Sequence, residues 1–148
     1  MMLMSRLGNE GLGHLRECLT QVSLPSDDVS ESGRQFYRFE INGEWLAYGG
    51  LEGAGADMLL RSVVVNDALR GRGVGRDVVS QLERCAASQG AKRIHLLTNT
   101  AKAFFLQNGY VVCERAEAPV VICQSAQFKY LCPAAASYLQ KTLPTTRD

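Results

Sequence analysis

The run from Leu59 to Gly75, LLRSVVVNDALRGRGVG, holds the residue types and spacings best suited to chemistry. Arg70-Gly71-Arg72-Gly73-Val74-Gly75 follows an apolar β-branched stretch and precedes a segment, 74–89, with helical spacing of apolar residues. A glycine loop that feeds a helix N-terminus presents unpaired backbone N–H groups to an anion, and the helix dipole adds positive charge there. Arg70, Arg72 and Arg76 add formal charge, although any one of them can equally be ordinary solvated surface charge. The pattern is that of a phosphate or pyrophosphate cradle. A P-loop is excluded, because no G-x-x-x-x-G-K-[ST] occurs. The dinucleotide fingerprint fails at its third glycine, where Arg76 stands, and the loop follows three antiparallel-looking strands, not a first βαβ unit.

Arg61 lies within the apolar strand itself. Strict alternation puts it on one face with Leu59, Val63 and Val65, and Ser62 on the other. An arginine among apolar neighbours on a central strand is costly unless paired. One pairing is an internal salt bridge with Glu52 or Glu44; another is the oxyacid of a ligand. His14 on the first helix and His95 on a short strand read as structural, and without a third ligand at motif spacing no metal site is expected.

The elements that must position these residues follow from periodicity and turn chemistry. Leu12, Leu15, Leu19 and Val22 recur at helical spacing, with Asn9 as N-cap and Leu24-Pro25 as the stop. An acidic, serine-rich loop runs from Pro25 to Gly33. Asn42-Gly43 joins strands 35–41 and 44–52 as a type I′ hairpin. A strand over 58–65, the helix 74–89 closed by Gly90, a strand over 94–97 and a brief helix 101–108 ended by Gly109 come next. A strand at 110–114, a helix over 118–128 and a strand at 137–143 complete the chain. The class is α/β, a mixed sheet with helices on both faces, in one domain over 1–143 with a tail at 144–148.

At 148 residues the chain can bury one core, and 16 basic against 15 acidic residues argue against nucleic acid held by bulk charge. Apolar runs are too short to span a bilayer, and no charged leader with an apolar stretch opens the chain. Five cysteines, an odd number without a C-x-x-C pair, fit reduced thiols and a cytoplasmic location.

The loop matches the [Q/R]-x-x-G-x-[G/A] acyl-CoA loop of the GNAT N-acetyltransferase superfamily. Ala101-x-x-Phe104-Phe105-x-x-x-Gly109-Tyr110 resembles that superfamily's A-x-x-F-Y-x-x-x-G-F segment at the expected distance. Together the two matches cover roughly residues 58–115. Within the superfamily, Leu59–Val65, Leu96–Ala101, Phe104-Phe105 and Leu131-Cys132-Pro133 are similar to the arsenic-resistance, ArsN-like group, some of which acetylate amino-acid-like arsenical or phosphinic antibiotics.

The resemblance implies a GNAT-like fold with a central twisted sheet and a CoA cleft between its two central strands. It implies acetyl-CoA as cosubstrate, bound by the 70–76 loop (Arg70, Gly71, Arg72, Gly73, Val74, Gly75, Arg76), by the backbone of Val63, Val64 and Val65, and near Thr98. It turns Arg61 toward the acceptor side, where its fork would clamp a carboxylate, phosphinate or arsinate. Glu52 is the one nameable general base, against the alternative of a solvated turn glutamate. Phe105 stands where the family often has a proton-donating tyrosine, and Thr98 where an asparagine is common. Tyr110, Tyr130 and Tyr138 are alternative acids, and Cys132 lines the pocket or is a buried thiol. The expected function is acetyl transfer to the amine of a small acceptor, with a homodimer as a further expectation. The alternatives are a CoA-binding regulatory module without turnover, an acetyltransferase of another amine metabolite, and one acting on a peptide amine.

Overall fold

The computed structural model describes residues 2–131 and 135–144, without the side chains of Tyr130 and Leu131. Cys132, the side chain of Tyr130 and the tail residues 145–148 lie outside the described residues. Seven strands form a mixed sheet in the order β1-β2-β3-β4-β5-β7-β6. They are β1 (Leu3–Arg6), β2 (Arg34–Ile41), β3 (Glu44–Glu52), β4 (Asp57–Val65), β5 (Arg93–Thr98), β6 (Val111–Cys113) and β7 (Ser137–Thr142). The helices are α1 (Leu12–Gln21), α2 (Val74–Ser88), α3 (Lys102–Gln107) and α4 (Val120–Cys123). The chain divides into two compact units, Met1–Glu52 with Leu60–Arg84, and Gly53–Leu59 with Cys85–Asp148.

In the first unit the β2–β3 hairpin turns through Asn42 and Gly43, with φ of 50° and 80°. Both values are left-handed, as a type I′ turn requires, and these two residue types accept them at least cost. Strand β1 pairs antiparallel with β2, Leu3 opposite Glu40. It escapes a periodicity reading because Met-Leu-Met-Ser-Arg is too short and too uniformly apolar at its start to show alternation.

Helix α1 buries Leu12, Leu15, Cys18 and Leu19 against Val29, Phe36, Tyr48 and Val64. A 3-10 turn over Asn9–Gly11 precedes it, so the helix begins later than an Asn9 cap would place it. The opposite face of the same strands meets α2. A β-carbon at Gly49 would lie 2.5 Å from Leu82 Cδ1, whereas one at Gly50 would lie 2.7 Å from the Phe36 ring. Adjacent strand residues point to opposite faces, so these contacts put α1 and α2 on opposite sides of β3.

In the second unit β4 begins parallel to β5, with Asp57, Met58 and Leu59 opposite Arg93, Ile94 and His95. Strand β7 lies antiparallel between β5 and β6. The stretch 118–128 is not one helix. A 3-10 turn at Arg115–Glu117, closed by a Glu114/Glu117 capping box, precedes it, and the stretch itself divides into α4 behind Pro119 and a π-type turn over Gln127–Leu131. Val120, Val121 and Ile122 are β-branched and hold a helix weakly, and the capping box fixes a separate turn just upstream.

A polar chain crosses the interior of this unit. His95, fully buried, contacts Asp57 Oδ1 through Nε2 at 2.7 Å and Tyr138 Oη through Nδ1 at 2.7 Å. Arg93 Nε donates to the same Asp57 oxygen at 2.9 Å. Burial pushes the Tyr138 hydroxyl up to about 12. Burial also holds His95 below the ordinary histidine value, and the opposing pull of Asp57 does not restore it. The folded chain therefore prefers neutral His95, while the unfolded chain takes up a proton near pH 6.5. This contribution to stability is complete above pH 6.5 and declines as pH falls below it. Urea unfolding between pH 7.5 and 5 should show that decline, and His95→Gln should flatten it; an unchanged slope in the variant would remove His95 as its source.

Candidate functional site

Strand β4 passes from Leu60 to Val65 through the first unit, and one residue in it breaks the regular pleat. Ser62 has φ of 61°, a left-handed value that is uncommon for a non-glycine residue and here interrupts a strand. Arg61 Cζ lies 5.5 Å from the centre of the Phe36 ring. Val64 belongs to the cluster that contains the same Phe36. Arg61 and Val64 thus share a face although they are three residues apart, and strict alternation fails at Ser62. The grouping of Arg61 with Val63 and Val65 is corrected accordingly: those two valines alternate with Val64 and are half-buried.

Arg61 has no side-chain exposure, and its partners are internal. Its Nη1 and Nη2 donate to the two Asp28 carboxylate oxygens at 2.6 Å each. Nη1 also donates to Glu52 Oε1 at 3.0 Å, and Nε to Ser62 Oγ at 3.1 Å. The Phe36 ring adds a cation–π contact. Burial works to lower the Arg61 pKa, but Asp28 and then Glu52 more than offset it, and the guanidinium stays charged. Burial likewise works to raise the Asp28 carboxyl; Arg61 and Arg34 overcome it and hold that carboxyl below its ordinary value.

Arg34, at the start of β2, completes the group. Its Nε and Nη2 each lie 3.0 Å from Asp28 Oδ2, and its Nε is 3.7 Å from Glu52 Oε1. Two cations and two anions are therefore interleaved, drawn from the α1–β2 loop, β2, β3 and β4. Of the two partners that the sequence suggested for Arg61, Glu52 is present and Glu44 sits exposed at the hairpin turn. Asp28 and Arg34 were not identified by spacing. The signal available was chemical: a buried guanidinium needs more than one carboxylate edge, and an acidic loop lay upstream.

The glycine loop is built from backbone. Asn66 Oδ1 accepts from Ala68 N–H at 3.1 Å, which turns β4 into a 3-10 turn at Asp67–Leu69. Gly71 and Gly73 have φ of 81° and 78°, values costly for any side-chain-bearing residue. The Gly73 carbonyl accepts from Asp77 N–H at 3.1 Å, so the N–H groups of Val74, Gly75 and Arg76 precede the helix's own bonding pattern. Arg70, Arg72 and Arg76 are exposed, Arg70 pairing with Asp67 at 3.1 Å and Arg76 with Asp77 at 3.7 Å. Such exposed pairs contribute little to stability.

Thr98, at the end of β5, has its hydroxyl occupied locally, because Oγ1 accepts from Ala101 N–H at 2.9 Å. That bond closes the turn into α3. Phe105 is buried, packed edge-on against Phe104 and Tyr110. Tyr138 Oη is engaged with His95.

Residues 32–112 match the acetyltransferase (GNAT) domain family. The chain belongs to that family. Mouse N-alpha-acetyltransferase 80 is 40% identical over 57 residues, 38% of this chain and 18% of its own length. N-acetylglutamate synthase from Neisseria gonorrhoeae, solved with coenzyme A and N-acetyl-glutamate, superposes with a TM-score of 0.82 at 14% identity, over 98% of this chain and 36% of that one. A GNAT family acetyltransferase from Elizabethkingia anophelis with acetyl-CoA bound gives a TM-score of 0.70 at 11% identity, over 96% of this chain and 98% of that one. The chain thus spans only 18% of the curated relative and 36% of the gonococcal synthase. The likeness to the solved structures establishes the fold.

Removing one member of a buried ion group leaves uncompensated charge and costs about 3–5 kcal/mol. Arg61→Ala should lose stability on that scale in urea unfolding, whereas exposed Arg76→Ala should stay within about 0.5 kcal/mol. A loss below about 1 kcal/mol for Arg61→Ala would contradict the described network.

Proposed function

We propose that the chain transfers an acetyl group from acetyl-CoA to the amine of a small, amino-acid-like acid. The observation that carries this reading is the glycine loop, lying inside the family match and opening α2 directly after β4. In this reading the loop from Arg70 to Arg76 receives the pyrophosphate through its backbone N–H groups, and the exposed arginines add charge. The backbone of Val63 to Val65 pairs with the pantetheine amides.

The amine nitrogen attacks the thioester carbonyl; the new C–N bond forms as the C–S bond breaks, and CoA leaves as a thiolate. Glu52 takes the proton released by the ammonium, directly or through water. A β4 backbone N–H supports the oxygen as charge gathers on it. A thiol with a pKa of about 8.5 leaves without a dedicated acid, which suits a chain with Phe105 in place of a tyrosine. Tyr138, raised to about 12 and bonded to His95, is a weaker acid than the thiol that protonating the thiolate would form. Arg61 serves the acceptor side by holding Glu52 and Asp28 in place, since its own donors are already taken up by them and by Ser62. Arsenical and phosphinic amino acids belong to the acceptor class, and a cytoplasmic setting and a homodimer accompany this reading.

The second reading, CoA binding without turnover, is favoured by the buried Phe105 ring, which has no proton to give. One experiment separates the two. Acetyl-CoA at about a hundredfold its Kd should add about 2.7 kcal/mol of stability, and amine acceptors, arsenical and phosphinic amino acids included, should release free CoA thiol. Absence of any melting shift or binding heat at millimolar acetyl-CoA would sink both readings. Saturable binding without thiol release from any amine would leave only the second.

A further inference from the structure

The four-charge group differs sharply in access from one member to the next. Side-chain exposure is 0% for Arg61 and 4% for Asp28, but 12% for Arg34 and 11% for Glu52. The two accessible members also make the longest contact in the group, 3.7 Å from Arg34 Nε to Glu52 Oε1. A buried, bidentate Arg61–Asp28 pair thus lies behind a looser, more open cation–anion pair.

Arg34 also has donors to spare. A guanidinium carries five N–H groups, one on Nε and two on each terminal nitrogen. Nε donates to Asp28 Oδ2, which also lies 3.0 Å from Nη2, and Nη1 donates to the Ser32 carbonyl at 2.7 Å, on the exposed side. Among the described residues each terminal nitrogen keeps an N–H without a hydrogen-bond partner, and two N–H groups so placed suit two oxygens of a single acid group. Arg61, with Nε and Nη1 fully committed and no exposed side-chain surface, has no comparable opening.

We propose that Arg34 and Glu52 form the acceptor recognition site, Arg34 taking the acid group of an amino acid and Glu52 its ammonium. This rests on the acetyl-transfer reading and names the substrate class within it: a primary amine carried next to an oxyacid. The charges already sit in complementary order, positive beside negative, as the two ends of such a zwitterion require. Binding at this mouth leaves the Arg61–Asp28 pair intact, so no buried charge is stripped of its partner. It also delivers the nitrogen to the carboxylate that removes its proton.

The test compares free α-amino acids with their α-amides as acceptors, read by CoA thiol release at saturating acetyl-CoA. The wild-type chain should favour the acid over the matching amide at least tenfold in kcat/KM. Arg34→Gln should cut kcat/KM for the acid about 10- to 100-fold, chiefly through KM, while the amide and the KM for acetyl-CoA change less than about twofold. Arg34→Lys keeps the charge but loses the fork, and should show a smaller loss again confined to the acid; it decides the matter if Arg34→Gln melts at the assay temperature. Equal losses on acid and amide, or an acid preference that survives both variants, would overturn the assignment. Turnover of amines with no acid preference removes this site alone, whereas no turnover on any amine removes the acetyl-transfer reading beneath it.

Discussion

A guanidinium on a central strand, wholly out of contact with water, must find its counter-charges inside the protein. For Arg61 that requirement organises four separate pieces of chain. Asp28 reaches it from the loop after α1, Glu52 from the end of β3, and Arg34 from the start of β2 shares both carboxylates. Breaking such a group is costly, whereas its intact form adds little over a well-packed apolar alternative. Its value to the fold lies in specifying geometry. Asp28 is 3% exposed in the acidic loop after α1, so the loop is held both by this charge group and by Val29 in the core.

The accommodation extends to neighbours that carry no charge. The Phe36 ring lies against the guanidinium, and Gly50 lacks the β-carbon that would press on that ring and, at 3.3 Å, on the Arg61 carbonyl. The glycine loop before α2 follows another principle. Its features are backbone N–H groups and left-handed glycines, its arginines are exposed, and its ion pairs are weak. Under the proposed acetyl transfer, one region would meet its ligand by paired charge, the other by the main chain. Chemistry that joins a large, uniform cosubstrate to a small, particular acceptor needs both.

Much of the architecture was legible because local rules and tertiary structure agree. The Asn42-Gly43 turn, the helix from Val74 and the glycine stops at Gly90 and Gly109 each rest on a conformation that few residue types accept. What was not legible is also physically specific. Strand β1 lacks alternation, and the segment after Glu114 divides because a capping box and Pro119 act within a few residues of each other. The glycine loop could be read from spacing, since its chemistry is consecutive. The charge group beyond the Glu52–Arg61 pair could not, because its members come from four separate pieces of chain that meet only in the fold. Sequence showed that Arg61 needed a partner; it did not show that the partner would itself be shared. The face of Arg61 was misassigned for a local reason, a left-handed serine that period-two counting cannot see.

That serine has a bearing on transplantation. With φ of 61° at Ser62, β4 is read in two frames, one up to Arg61 and another beginning beyond it. A segment taken from another protein and aligned to this strand by hydrophobic pattern alone would keep one frame throughout. Its Val64 equivalent would then leave the α1 core, and the residues on either side would enter it. Any graft of the 59–65 segment must therefore carry the kink along with the side chains, because the kink decides which of them are inside.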